Sequence, residues 1–417
     1  MAKKRNIPHT YVIVFFIIIA SAILTWFIPG GEFERVDKVL PDGTTRLVIV
    51  ENSFHNVADQ PQTWQVFSAF FKGFVKQSNI IIFILLIGGA FWIMNASKAI
   101  DVGIMAFLKF TKKLEKINIL QKIGVDNIVM VLIMIMFSAF GAIFGMSEET
   151  IAFIIVMIPL AISMGYDSIT GMSMVYVAAH LGFAGAILNP FTIGIAQGLS
   201  DIPLFSGIEY RLLCWLVINI VGFTFILLWA RKVKKNPEKS PMYKADEIWR
   251  SQHNAKDTKF EYYTPKAAWF TFIAILSALI AFSFYYPLTT LSIGNSQLTS
   301  YIIPSAALLF AIIGVLSLRK SIHFFILTLL GFTILFLIVG VMGYAWYVTE
   351  IGTLFFVMGL ASGIAMGSTA NEITHLFLDG VKDILSAGLI VGLAGGIIVI
   401  LQDGKIIDTI MYGLSQS

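Results

Sequence analysis

Apolar residues run almost unbroken through eleven stretches of this chain, each bounded by polar or charged positions. They are Tyr11–Ile28, Asn79–Met94, Asn127–Phe144, Ile151–Met164, Gly171–Leu188, Leu212–Ala230, Ala267–Phe284, Ile302–Leu318, His323–Val341, Tyr347–Ala365 and Ile384–Leu401. A helix needs about 20 apolar residues to cross the hydrocarbon core of a bilayer. The pattern therefore predicts an all-α polytopic membrane protein with 10 to 11 hydrophobic segments. Asn127–Phe144 and Ile151–Met164 are short and joined only by Gly145-Met146-Ser147-Glu148-Glu149-Thr150, so they read as two crossings or as one re-entrant hairpin.

Basic residues orient the segments, because Lys and Arg gather on the cytoplasmic side. The N-terminus carries three, loop 95–126 six, loop 231–266 ten and Arg319-Lys320 two, together 21 of the 29 in the chain. These stretches are placed in the cytoplasm, with the N-terminus, and Pro29–Thr63 outside. Tyr11–Ile28 follows Lys3, Lys4 and Arg5 but lacks a small-x-small cleavage pattern, so it reads as a first transmembrane helix instead of a leader.

Composition agrees with the pattern: 57% of the chain is hydrophobic and only 13% is charged, where a soluble domain has about 25%. A cytosolic enzyme, a disordered chain and a disulfide scaffold are excluded. Cys214 is the only cysteine and lies in an apolar run. The net charge of +4 resides in inter-helix loops, so no nucleic-acid partner is expected.

Sliding the chain by 307 residues reveals an internal repeat. Phe70 meets Phe377, Gly73 meets Gly380, Leu86 meets Leu393, Gly88-Gly89 meets Gly395-Gly396 and Ile93 meets Ile400. Lys98, Ile100 and Asp101 then meet Lys405, Ile407 and Asp408. The distribution of basic residues gives the two copies opposite directions across the membrane, and inverted repeats are a common architecture of secondary transporters. The chain thus divides into four stretches: a first membrane repeat over 1–230, with a hairpin near 127–164 and a broken helix near 171–200; a basic cytoplasmic loop over 231–266; a helical pair over 267–320; and the start of a second, inverted repeat over 321–417. The second repeat ends where the first would continue, so half of the expected site is read as missing from this sequence.

Candidate chemistry concentrates in the first repeat. Carboxylates at membrane depth are costly and usually meet an ion, a substrate or a water-filled cavity. That singles out Glu148 and Glu149, with Ser147 and Thr150 adding hydroxyls; a surface turn with an N-cap is the plain alternative. Farther on, Pro190 cannot donate a backbone hydrogen bond and disfavours helix at Asn189. Asn189, Pro190 and Thr192 thus mark a discontinuous helix whose freed carbonyls suit a cation, against the simpler reading of a kink satisfied by its neighbours. His180 and Gln197 are further candidates, His180 as a protonatable group on the pathway or as a packed histidine. No Walker A loop, HExxH, CxxC or GxSxG pattern occurs, so no enzyme, metal site or cofactor is expected beyond Na+ or H+ coupling.

These motifs carry a family resemblance. Pro8-His9-Thr10-Tyr11-Val12-Ile13 and Ile28-Pro29-Gly30-Gly31-Glu32-Phe33-Glu34-Arg35 resemble the opening of YfcC-type transporters of the C4-dicarboxylate anaerobic carrier family, within the ion transporter superfamily. Gly145–Thr150, Gly165-Tyr166-Asp167-Ser168-Ile169-Thr170, Gly182-Phe183-Ala184, Asn189-Pro190-Phe191-Thr192, Ala196-Gln197-Gly198 and Asp403-Gly404-Lys405-Ile406-Ile407-Asp408 are similar to its motifs. The resemblance implies two inverted repeats, each with a hairpin and a broken helix, and cation-coupled transport or exchange by an elevator-like movement. It implies dicarboxylates or amino acids as substrates and a homodimer as partner. It does not extend to the family's second hairpin and second broken helix, in line with the incomplete repeat. The expected function is a multi-pass secondary transporter of small organic acids or amino acids in the cytoplasmic (inner) membrane. A basic amino-acid antiporter is the near alternative, and a truncated membrane protein that does not transport is the alternative of another class.

Overall fold

The computed structural model describes residues 8–39, 45–50, 52–103, 106, 124–144, 146–147, 150–189, 192–193, 207–254, 261–293, 296–344, 346 and 348–416. Most of the described residues are helical. Among the described residues, seven helices are long and apolar enough to cross a membrane, and three more are apolar but shorter. The protein is an all-α polytopic membrane protein.

In chain order the helices are α1 (Thr10–Leu24), α2 (Gln65–Lys76), α3 (Ser78–Ala96), α4 (Val125–Phe144), α5 (Ile151–Ser163), α6 (Ser168–Met172), α7 (Ala178–Gly185) and α8 (Ile208–Lys235). Then come α9 (Glu247–Asn254), α10 (Lys266–Tyr285), α11 (Ile302–Leu318), α12 (Ile322–Tyr344), α13 (Val348–Met366), α14 (Ala370–Asp403) and α15 (Ile407–Ser415). Three antiparallel strand pairs lie in the connections: β1 (Gly31–Glu32) with β4 (His55–Asn56), β2 (Arg35–Val39) with β3 (Thr45–Ile49), and β5 (Thr289–Ile293) with β6 (Ser296–Ser300). The apolar pattern does not anticipate them, because they occupy polar loops.

Contacts divide the chain into a unit of 1–88 with 379–417 and a unit of 89–378. In the first, Val14, Ile18 and Ala22 of α1, Val66 and Ala69 of α2, and Val399 and Ile400 of α14 form one buried cluster. A Cβ on Gly395 would meet the Gly73 carbonyl oxygen at 2.6 Å, and one on Gly88 would meet the Gly380 carbonyl at 3.2 Å. Under the 307-residue offset these two contacts are images of each other. A Cβ on Gly388 would touch Ile81 at 3.5 Å, and 388 is the repeat equivalent of 81. The two copies therefore lie antiparallel, backbone against backbone where glycine removes the side chains. Lys98 and Lys405, also repeat equivalents, both take the left-handed conformation, with φ of 60° and 57°. Each follows the end of a helix, and each amide donates to a carbonyl three residues back, Asn95 or Gln402, at 2.9 and 3.0 Å.

Outside these helices, Asp408 receives a bidentate pair from Arg35 (2.7 and 2.9 Å) and the Phe33 amide at 2.9 Å. Lys405 pairs with Glu32, and Phe54 stacks on Tyr412 at 4.2 Å. The strand-bearing loop is thereby fastened to the end of the chain.

In the second unit, loop 231–266 is more than a linker. α8 continues to Lys235, and the buried Asp167 ties the turn after it to the start of α6. Asp167 caps that helix through the Thr170 amide and hydroxyl, and it also accepts from Ser240 and the Trp229 indole. Asp246 in turn accepts from the Ser168 amide. A buried carboxylate is tolerated when its oxygens are met by donors in this way.

Candidate functional site

The site lies in the second unit, where α4 packs on α7. The approach is close because small residues face each other: a Cβ on Gly182 would sit 1.8 Å from the Ser138 carbonyl, and one on Gly141 would sit 2.0 Å from the Ala179 carbonyl. Trp215 of α8 donates its indole N–H to the Ser138 hydroxyl at 2.9 Å and lies against Gly185.

α4, at 20 residues, is long enough to cross; α5, at 13 residues with Pro159 inside, is not. The hairpin is unequal, as its apolar stretches of 18 and 14 residues foretell. At its tip the Met146 amide donates to Phe140 O at 3.3 Å. The Thr150 hydroxyl, fully buried, donates to Ser147 O at 2.6 Å.

The fifth apolar stretch is broken in three. α6 passes into a π-helical turn over Ser173–Val177, then into α7, which stops at Gly185. Ala186 adopts φ +42°, ψ 49°, the left-handed conformation that costs a non-glycine residue about 1 kcal/mol. The break therefore starts four residues before Pro190, earlier than the Asn189-Pro190 dipeptide suggests. A helix running through Pro190 would leave the Ala186 carbonyl, four residues back, without a backbone donor.

The unwound segment is stitched to the end of α4. The last four carbonyls of a helix lack intrahelical partners, and two of these serve here. Gly141 O accepts the Asn189 side-chain amide at 3.3 Å, and Ala142 O accepts the Leu188 amide at 2.9 Å. Asn189, fully buried, also accepts from the Thr192 amide at 3.2 Å. The Thr192 hydroxyl oxygen is buried and has no partner among the described residues. The Arg211 guanidinium donates to Ile187 O at 3.2 and 3.3 Å.

His180 faces the hairpin tip. Its Nδ1 lies 2.8 Å from Tyr176 O and its Nε2 lies 3.0 Å from the Ser147 hydroxyl. A carbonyl only accepts, so in the neutral ring Nδ1 carries the proton and Nε2 accepts from Ser147.

Ser147, Thr150, His180, Asn189 and Thr192 thus cluster around the α4 tip and the helix break. Glu148, Glu149, Pro190 and Gln197 lie outside the described residues. Arg211 and Ser138 are absent from the sequence-derived set. A lone arginine three residues into a long apolar helix was the available signal for the first. Ser138 has none, since nothing in the chain pairs it with a tryptophan 77 residues away.

The family model described as the C4-dicarboxylate anaerobic carrier matches residues 7–319 and 317–417. The chain belongs to the C4-dicarboxylate anaerobic carrier family. One relative of this carrier is the Escherichia coli (strain K12) protein named "Putative basic amino acid antiporter YfcC", 28% identical across 100% of this chain and 75% of its own length. An uncharacterised Haemophilus influenzae protein is 23% identical over 99% of this chain and 76% of its own. Among solved structures, the Alcanivorax borkumensis YdaH transporter overlays 96% of the carrier and 71% of its own chain, with a TM-score of 0.36 and 9% identity.

Proposed function

We propose that this member of the family is a secondary transporter of small organic acids or amino acids, coupled to a cation or working by exchange, with the α4–α7 site as its first half-site. The observation that carries the reading is the break at Ala186, beyond which a buried Thr192 hydroxyl, without a partner among the described residues, lies beside backbone held by Asn189. Discontinuous helices in membrane proteins occur where they line a cavity or bind an ion or substrate. Ser147 and His180 supply a donor–acceptor pair at the hairpin tip.

Exchange of basic amino acids is the second reading. Two adjacent glutamates, Glu148 and Glu149, suit a cationic side chain, and a similar protein carries an antiporter name of that kind. A substrate carboxylate, in either case, would compete with Ile187 O for Arg211.

The test is counterflow into proteoliposomes loaded with arginine, ornithine, malate or fumarate, each against labelled forms of all four. Uptake should fall at least about ten-fold in Glu148→Gln with Asn189→Ala, the loss of about one charge-assisted hydrogen bond. Unchanged uptake in that double variant overturns the site.

A further inference from the structure

The four helices α10, α11, α12 and α13 enclose a cavity of about 460 Å³, within the roughly 300–1,000 Å³ of small-molecule sites. It is separate from the α4–α7 site. Its inner walls are Leu279, Phe310, Phe332, Phe336, Met358 and Ala361. Of the polar groups at its lining, Thr333 donates to Leu329 O at 2.9 Å and Tyr344 shares a 3.0 Å hydrogen bond with Thr289. Among the described residues, no titratable acid or base other than tyrosine lines it. Such a space offers a ligand dispersion contacts and nothing else, and apolar cavities stay dry.

Phe282 and Val357 line the cavity yet are 53% and 52% exposed, so the space opens onto the outer apolar surface of helices built to cross a membrane. The medium at that mouth is acyl chain. Tyr286, Tyr344 and Trp346 stand at one end, where α10 and α12 finish, and aromatic residues with polar edges favour the headgroup level. That end is opposite Arg319-Lys320, hence on the outer side. We propose that the cavity holds one acyl chain of an outer-leaflet phospholipid, with its headgroup at the tyrosines and its tail against Phe310 and Ala361.

Purified full-length protein in vesicles containing a phosphatidylethanolamine with a diazirine in mid-chain is irradiated, and the adducts are mapped by mass spectrometry. Adducts are expected at Leu279, Phe310, Phe332 and Phe336. Ala278 is exposed at the mouth, so Ala278→Trp should block entry without disturbing the fold and lower these adducts about ten-fold. Ala361→Phe, filling the inner end, should lower them similarly. If adducts spread evenly over outward residues such as Leu216 and Phe225, or if Ala278→Trp changes nothing, the proposal is overturned. Cross-links joining two copies through these helices would assign the cavity to a neighbouring chain and overturn it as well.

Discussion

Glycines do the most specific work at the scale of single residues. At Gly182 an added methyl would lie 1.8 Å from a carbonyl oxygen of α4, a backbone atom that a rotamer change does not move. Gly182→Ala should therefore cost at least about 1–3 kcal/mol of stability, as overpacking does, measured as a lower melting temperature in detergent. Gly331, with open space around it, is the control: Gly331→Ala should be neutral or mildly stabilising, since alanine is the better helix former by about 1 kcal/mol. His180 makes a different prediction. His180→Gln keeps a donor and an acceptor for Tyr176 O and the Ser147 hydroxyl, whereas His180→Leu keeps neither. Uptake into proteoliposomes should fall about ten-fold further in the leucine variant than in the glutamine variant.

At the scale of elements, the clamp between Arg35 and Asp408 sets a pH limit. Burial opposes ionisation of Asp408, but hydrogen bonds from Arg35 and the Phe33 amide outweigh it and hold its carboxyl below the ordinary value of 3.8. A carboxyl depressed in the folded state stabilises it above the unfolded pKa, and that contribution is lost as pH falls through the folded value. Asp408→Asn should then be destabilised at neutral pH by about 1 kcal/mol, allowing for the half-exposed guanidinium. Its melting temperature should also change less than wild type below about pH 4. The elements themselves were legible wherever the apolar period had no competitor: every one of the eleven apolar stretches contains helix. What was not legible came from groups distant in sequence. The polar first turns of α14 sit outside its apolar run, and Asp167 finds Ser240 and Trp229 only once α8 has folded past it. The site was half legible. Asn189 and Ser147 stood out by residue type, whereas the Gly141 carbonyl and Thr192 amide that hold Asn189 are backbone groups, which no sequence distinguishes from any others.

For the whole molecule, the antiparallel packing of the two repeat copies makes a geometric prediction. With Cys214 replaced by serine, Ile81→Cys and Gly388→Cys should be joined within one chain by a short bifunctional thiol-alkylating reagent, whereas Ile81→Cys with Leu401→Cys should not. The joined product migrates faster on a denaturing gel; its absence would refute the packing of the copies.

The contact between Ile81 and Gly388 has a further consequence. Residues that are images of each other and also touch must share a single space, so a bulky side chain can stand in one copy only. Positions away from the axis, such as Gly73 with Gly395 and Gly88 with Gly380, meet a different residue and are free to stay alike. Two repeat copies packed in this way are thus compelled to differ where they meet. Steric exclusion at the axis, without any demand from transport, is enough to make the two copies diverge there.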